Sequence, residues 1–203
     1  MAKTRVKNGL VCGKGKNDAD YGVRFTDKDG KRTFCPYYSR WTYMIRRCYD
    51  EEHKKKAISY NGCEVCEEWL TFSNFKAWME KQDWEGKNLD KDLLGDGKLY
   101  SPVTCCFLTS RVNNFIVLRE DYRGNLPIGV IKVGNRYKSQ IRNENGGNKY
   151  LGSFGCPTAA HMAWRKEKHA IALNLASTEK DSRISEALVK FVSGVPYETT
   201  KDS

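Results

Sequence analysis

No run of apolar residues in this 203-residue chain approaches the ~20 that span a bilayer. No basic amphipathic anchor segment stands out either, so no membrane partner is expected. The start, MAKTRVKNGL, is basic but has no apolar stretch behind it, and the chain is expected to stay where it is made, in the cytoplasm. Acid is in deficit. Against 35 Lys and Arg stand 25 Asp and Glu, leaving a formal charge of +10 and an isoelectric point near 9.2. Such an excess favours a polyanion, nucleic acid before membrane. Histidine is scarce, with three in the chain. Cysteine is not, at eight, but zinc-site spacing is missing: Cys63-Glu-Val-Cys66 is a single C-x₂-C pair, with no second pair or His pair to complete it. Zinc is not expected, and most of the thiols read as reduced, buried small hydrophobes.

Hydrophobic content of 39% beside 30% charged residues fits a globular chain of one large domain or two small ones. The stretch from Asn88 to Asn114 organises the rest. It reads as a strand carrying Asp90, a glycine turn at Gly95-Asp96-Gly97, and a return past Tyr100. A Ser101-Pro102 break and a segment ending on Asn113 and Asn114 follow. Such a unit can aim a carboxylate and a later amide oxygen at one spot, which suits a hard cation such as Mg²⁺. The alternative is a polar hairpin whose Asp and Asn cap turns.

Around it the chain divides by pattern. Residues 1–34 form a basic arm, with nine Lys and Arg against four Asp, and YGVRFT-DKDG-KRTFC reads as a hairpin. The arm either lies along phosphates or is a solvated hairpin. In SRWTYMIRRCY, Trp41, Met44, Ile45 and Cys48 fall at i, i+3, i+4 and i+7 of a helix, with Arg40, Arg46 and Arg47 turned elsewhere. DEEHKKK reads as an exposed loop. YNGCEVCEEW gives a short strand, and a helix capped at Ser73 or Asn74 follows, with Phe75, Trp78 and Met79 inward. After a polar connection through Arg119–Asn125, GVIKV, RYKSQIR and KYLGSF predict a three-stranded antiparallel meander. A helix capped by Thr158 follows, with Ala160, Ala163, Trp164, Ala170 and Ile171 on the sheet. Residues 177–203 give a last helix on Ile184, Leu188 and Phe191 or Val192, then a polar tail.

In the middle strand of the meander, Arg136, Lys138, Gln140 and Arg142 alternate with Tyr137, Ser139 and Ile141. Period two puts the four polar side chains on the face away from the helix. Arg matches guanine and Gln matches adenine, so this face suits a DNA groove; the alternative is an ordinary solvated sheet. Residues 127–176 carry eight Lys and Arg against two Glu, +6 of the total charge.

The segments GVIKVGNRYKSQI, YLGSF and TAAHMAW resemble the AP2 DNA-binding domain, over about fifty residues. The resemblance implies double-stranded DNA as partner, a sheet docked in the major groove, and DNA contacts from Arg136, Lys138, Gln140, Arg142 and, on the next strand, Lys149. The segments WTYMIRRCY, YNGCEVCEEW, LDKD and YSP are similar to a bacteriophage and bacterial family of HNH-related endonucleases. The combined resemblance implies an α+β fold. Residues 35–118 would form a ββα-metal domain and residues 126–176 a three-stranded sheet packed on one helix. It also implies a DNA endonuclease or nickase acting with Mg²⁺ or Mn²⁺ in a bacterial host cell. Asp90 is then the strand ligand and Asn113 (or Asn114) the helical one. The chain departs from the family at two places. Lys91 stands where the general-base His belongs, and Thr104 replaces the Asn after Y-x-P. A lysine between Asp90 and Asp92 is expected to stay charged and steady the phosphate. His53 can swing in as base, and Tyr100 is either a nucleophile or a core tyrosine; His161 and His169 have local roles. Rival readings are a non-cleaving DNA-binding regulator or accessory protein on the same scaffold, or an inhibitor of a nucleic-acid enzyme.

Overall fold

The computed structural model describes residues 9–26, 28–118, 125–142 and 147–193. Most of the polar connection after Leu118, the Asn145-Gly146 part of the meander turn, the basic start and the terminal tail lie outside them. The fold is α+β and divides into two compact units, Met1–Thr109 and Ser110–Ser203. The division assigns α4 (Ser110–Ile116), which the resemblance groups with the first domain, to the second unit.

The first unit is built on α1 (Pro36–Tyr49). Pro36 sits in the first turn, where its missing N–H costs nothing, and Trp41, Met44, Ile45 and Cys48 are all buried. The expected stripe is the core. Trp69, Phe72, Phe75, Met79, Tyr100 and Phe107 pack with it, and the Trp41 indole donates to the Trp69 carbonyl at 2.7 Å. Short strand pairs surround this core: β1 (Leu10–Val11) with β2 (Gly15–Lys16), and the expected hairpin β3 (Arg24–Thr26) with β4 (Arg32–Phe34). Val11, Cys12, Tyr21 and Val23 lean on the core, so residues 9–23 are not a free arm.

DEEHKKK is helix α2 (Glu51–Lys56), not a loop. Asp50 caps it by accepting from the His53 N–H at 3.1 Å, Glu51 and Glu52 occupy the positive end, and Lys54 and Lys55 pair back to them. Helix α3 (Phe72–Met79) takes neither Ser73 nor Asn74 as cap. Ser73 instead gives its N–H and hydroxyl to Asp18, at 2.9 and 2.6 Å. The Asp90 strand, β6 (Asn88–Asp90), does not pair with the return past Tyr100. It pairs antiparallel with β8 (Cys106–Leu108), while β7 (Leu99–Tyr100) pairs parallel with β5 (Glu64–Val65). The glycine turn is thus an excursion between two small sheets rather than a hairpin tip.

The second unit contains the expected meander. β9 (Val130–Val133), β10 (Arg136–Arg142) and β11 (Asn148–Phe154) pair antiparallel with β10 central, and α5 (Pro157–Thr178) packs on it. Cys156, not Thr158, caps α5, with Pro157 in its first turn. Ala160, His161, Trp164, Lys168, Ala172 and Leu175 are its buried residues, whereas Ala170 is exposed. Helix α6 (Ser182–Ser193) lies along α5 and buries Ile184, Leu188 and Val192. Gly129 is required here: φ is +79°, and a Cβ would lie 2.1 Å from the Trp164 ring. Among the described residues no helix is long and apolar enough to cross a membrane.

Candidate functional site

Asp90 ends β6 opposite Cys106 and is 5% exposed. Its Oδ2 accepts from the N–H groups of Asp92 and Leu93, at 2.9 and 2.8 Å. One carboxylate oxygen therefore does cap a turn. Burial raises its pKa above the usual carboxylate range; the Leu93 and Asp92 N–H groups and Lys91 oppose the rise without cancelling it. Asp90 is a carboxylate whose charge its surroundings disfavour, a condition that a bound cation would relieve.

Lys91 is 4% exposed and gives its ammonium to Asp92 Oδ1 at 2.6 Å. It lies over the rings of Tyr60 and Tyr100, at 5.5 and 5.6 Å. Burial alone would lower its pKa, but the hydrogen bond and charge of Asp92 outweigh it and the net shift is upward. At neutral pH Lys91 is a fixed cation and cannot serve as base. Gly97 makes the pair possible. Its φ is +75°, and a Cβ there would fall 2.7 Å from Asp92 Oδ1.

Tyr100 is 1% exposed, and burial pushes its phenol far above the ordinary value, so it is no neutral-pH nucleophile. It accepts instead from Arg47 at 3.4 Å. The Arg47 guanidinium covers the Tyr43 ring at 4.2 Å and the Tyr60 ring at 5.0 Å. The His53 ring stands 6.0 Å from both tyrosine rings. The structure thus gathers His53, Lys91 and Tyr100 around Tyr60, with Tyr43 and Arg47 added. Those additions had a faint signal. Tyr43 and Arg47 are i,i+4 neighbours on α1, beside rather than within its apolar stripe.

Asn113 is half-buried on α4, in the second unit, so the two nominated metal ligands belong to different compact units. Both are oxygen donors, the ligand type that hard divalent cations prefer. Among the described residues no three His, Cys, Asp or Glu side chains gather to hold a metal ion. None of the eight cysteines is in a disulfide, and burial pushes the Cys48 and Cys105 thiols up to about 12, as suits inert core groups.

On the second unit, β10 sorts its side chains as its alternation requires. Ser139 and Ile141 are buried, Lys138 and Gln140 are half-exposed, and Arg136 and Arg142 are exposed. A register shift after Ser139 sets Gln140 opposite Tyr150 and Lys138 opposite both Ser153 and Ile131. The open face therefore carries exposed Ile131, Val133 and Tyr150 among its polar groups. Lys138 lies over Tyr150 at 5.6 Å, and Arg136 donates to the Ser153 hydroxyl and carbonyl, at 3.0 and 2.7 Å. Lys149 sits opposite Ile141, on the helix side, and its ammonium pairs with Glu167 of α5 at 2.7 Å. Four of the five nominated DNA contacts thus share a face, and Lys149 does not. Of the C-terminal histidines, His161 meets the Ile128 carbonyl at 2.9 Å and stacks on Trp164. Comparison with family models, with curated proteins and with solved structures finds no match for this chain.

Proposed function

We propose that the chain is a phage-type DNA endonuclease or nickase, dependent on a divalent metal, whose AP2-like sheet holds double-stranded DNA. One observation carries the DNA half of this reading. Lys138, Gln140 and Arg142 face away from the packed helix while Ser139 and Ile141 are buried beneath it. Lys and Arg serve phosphates and guanine, Gln serves adenine, and the exposed Tyr150 and Ile131 offer apolar contact to bases.

For hydrolysis, Asp90 is the first-unit ligand of the ββα-metal reading. Mg²⁺ or Mn²⁺ held there would polarise the phosphate and neutralise the leaving oxygen. Lys91, locked on Asp92, contributes a positive charge that needs no reorganisation. With Lys91 charged and the Tyr100 phenol buried, His53 remains as the residue able to accept a proton from water. A second reading, a DNA-binding regulator or accessory protein that does not cleave, is favoured by the turn-capping role of Asp90 Oδ2.

Supercoiled plasmid incubated with the full chain and Mg²⁺ or Mn²⁺ tests the pair. Nicking that Asp90→Ala abolishes while duplex affinity persists supports the nuclease. Duplex binding without nicking leaves the second reading. Absence of duplex binding at low salt defeats both.

A further inference from the structure

Among the described residues the guanidinium of Arg47 meets aromatic rings and a phenol rather than a carboxylate. Carboxylates of the neighbouring segments pair elsewhere: Asp92 with Lys91, Glu51 with Lys54, Glu52 with Lys55, and Asp50 with the start of α2. Arg47 instead meets the faces of Tyr43 and Tyr60 and the phenol of Tyr100. Its Nε is buried with no hydrogen-bond partner, and so is Nε2 of His53. A buried polar nitrogen without a partner costs free energy, and two such atoms around Tyr43 and Tyr60, with the buried cation of Lys91 over the same Tyr60 ring, make a site that an anion would satisfy.

Tyr43 is the common neighbour. Its ring lies 4.2 Å from the guanidinium and 6.0 Å from the imidazole, yet the residue is 50% exposed. Tyr43 is the half-exposed member of the two rings that flank both groups, Tyr60 being the other, so its rotation is the way an anion would enter. A planar guanidinium with free N–H groups takes tetrahedral oxyanions in a fork, and His53 in its Nε2–H tautomer adds a third donor, its other nitrogen staying an acceptor. We infer that Tyr43 covers a phosphate-binding site whose donors are the Arg47 guanidinium and the His53 imidazole. The functional reading above bears only on the source of the phosphate, a DNA backbone or a free phosphate compound. The site itself needs neither metal nor cleavage.

Calorimetric titration of inorganic phosphate into the full chain, in metal-free buffer, tests it. The wild type should bind saturably, and Arg47→Gln should weaken binding at least about tenfold. Tyr43→Ala should tighten it about fivefold, because the entering anion no longer displaces a cation–π contact. Equal affinity in wild type and Arg47→Gln, no tightening in Tyr43→Ala, or no saturable heat in any of them overturns the site. Should Arg47→Gln fail to fold, as judged by circular dichroism, the half-exposed Tyr43 variant decides alone. A duplex arm identifies the source. A parallel loss of duplex affinity in Arg47→Gln assigns the phosphate to DNA, and an unchanged duplex affinity beside lost phosphate binding assigns it to a free phosphate compound. Failure of plasmid nicking leaves these outcomes untouched.

Discussion

Lys91 and Arg47 of the first unit are drawn into aromatic and acidic surroundings, whereas Arg136 and Arg142 of the second stand exposed on a sheet. Both units are basic, but their cations are held on different terms. A buried cation keeps its position and loses little to salt, so it can act on one phosphate at a fixed point. An exposed cation contributes little to folding and much to counterion release, so it suits a long polyanion bound with tolerance for sliding. On the proposed function, the same side-chain types would serve positioning in one unit and capture in the other.

This contrast can be strained first through the packing that supports the sheet. Gly129→Ala forces a methyl group into Trp164 at a positive φ and is expected to cost about 4 kcal/mol. Urea denaturation should register the loss, and duplex affinity should fall with it. A buried charge supplies the next effect. Lys168 is 7% exposed, donates to the Phe115 carbonyl and lies over the Phe115 ring at 3.7 Å, with its pKa pushed down to about 8 by burial. Folding thus favours the neutral amine. The stability it confers is full above the unfolded lysine value of ~10.4 and is lost as pH falls through about 8. The unfolding free energy should rise by up to about 3 kcal/mol across that window, and Lys168→Met should flatten the curve.

Asp90 sharpens the comparison from the acidic side. Its raised pKa means that the folded state holds the proton more tightly than the unfolded chain does. The stability it confers is present below ~3.9 and lost as pH rises through the folded value, so the ionised form costs stability at neutral pH. Asp90→Asn is expected to stabilise the protein by on the order of 1 kcal/mol at pH 7 and not at pH 3, measured by thermal melts, while abolishing nicking. A gain in stability with a loss of activity is the signature of a functional rather than a structural carboxylate. Lys149→Ala should have the smallest effect. Its half-exposed pair with Glu167 is worth below about 1 kcal/mol, and duplex affinity should hardly change, since the side chain faces α5.

Much of the scaffold was legible because it is periodic. The α1 stripe, the meander and the α6 stripe of Ile184, Leu188 and Val192 each bury the side that their spacing selects. What escaped depended on partners distant in sequence. β6 pairs with β8 through contacts that no local signal encodes, and Ser73 is tied to Asp18, 55 residues away. The α2 helix escaped for the opposite reason. It buries nothing, so it has no apolar period, and its cap and end charges alone make it. At the site, the alternation of β10 revealed the open face, but Lys149 could not be sorted, because the register shift after Ser139 decides which side it takes. Lys91 was legible as a charged residue from its acidic neighbours. Its aromatic housing of Tyr60 and Tyr100, and Arg47 beside it, were not.

The proposed capture of a duplex by the open face of β10 is tested most directly by the salt dependence of DNA affinity. Fluorescence anisotropy of a labelled duplex should give a linear log–log slope for the wild type. The Lys138→Gln, Arg142→Gln double variant should be shallower by about 2, with its stability within about 0.5 kcal/mol of the wild type. An unchanged slope in a folded double variant would contradict the account.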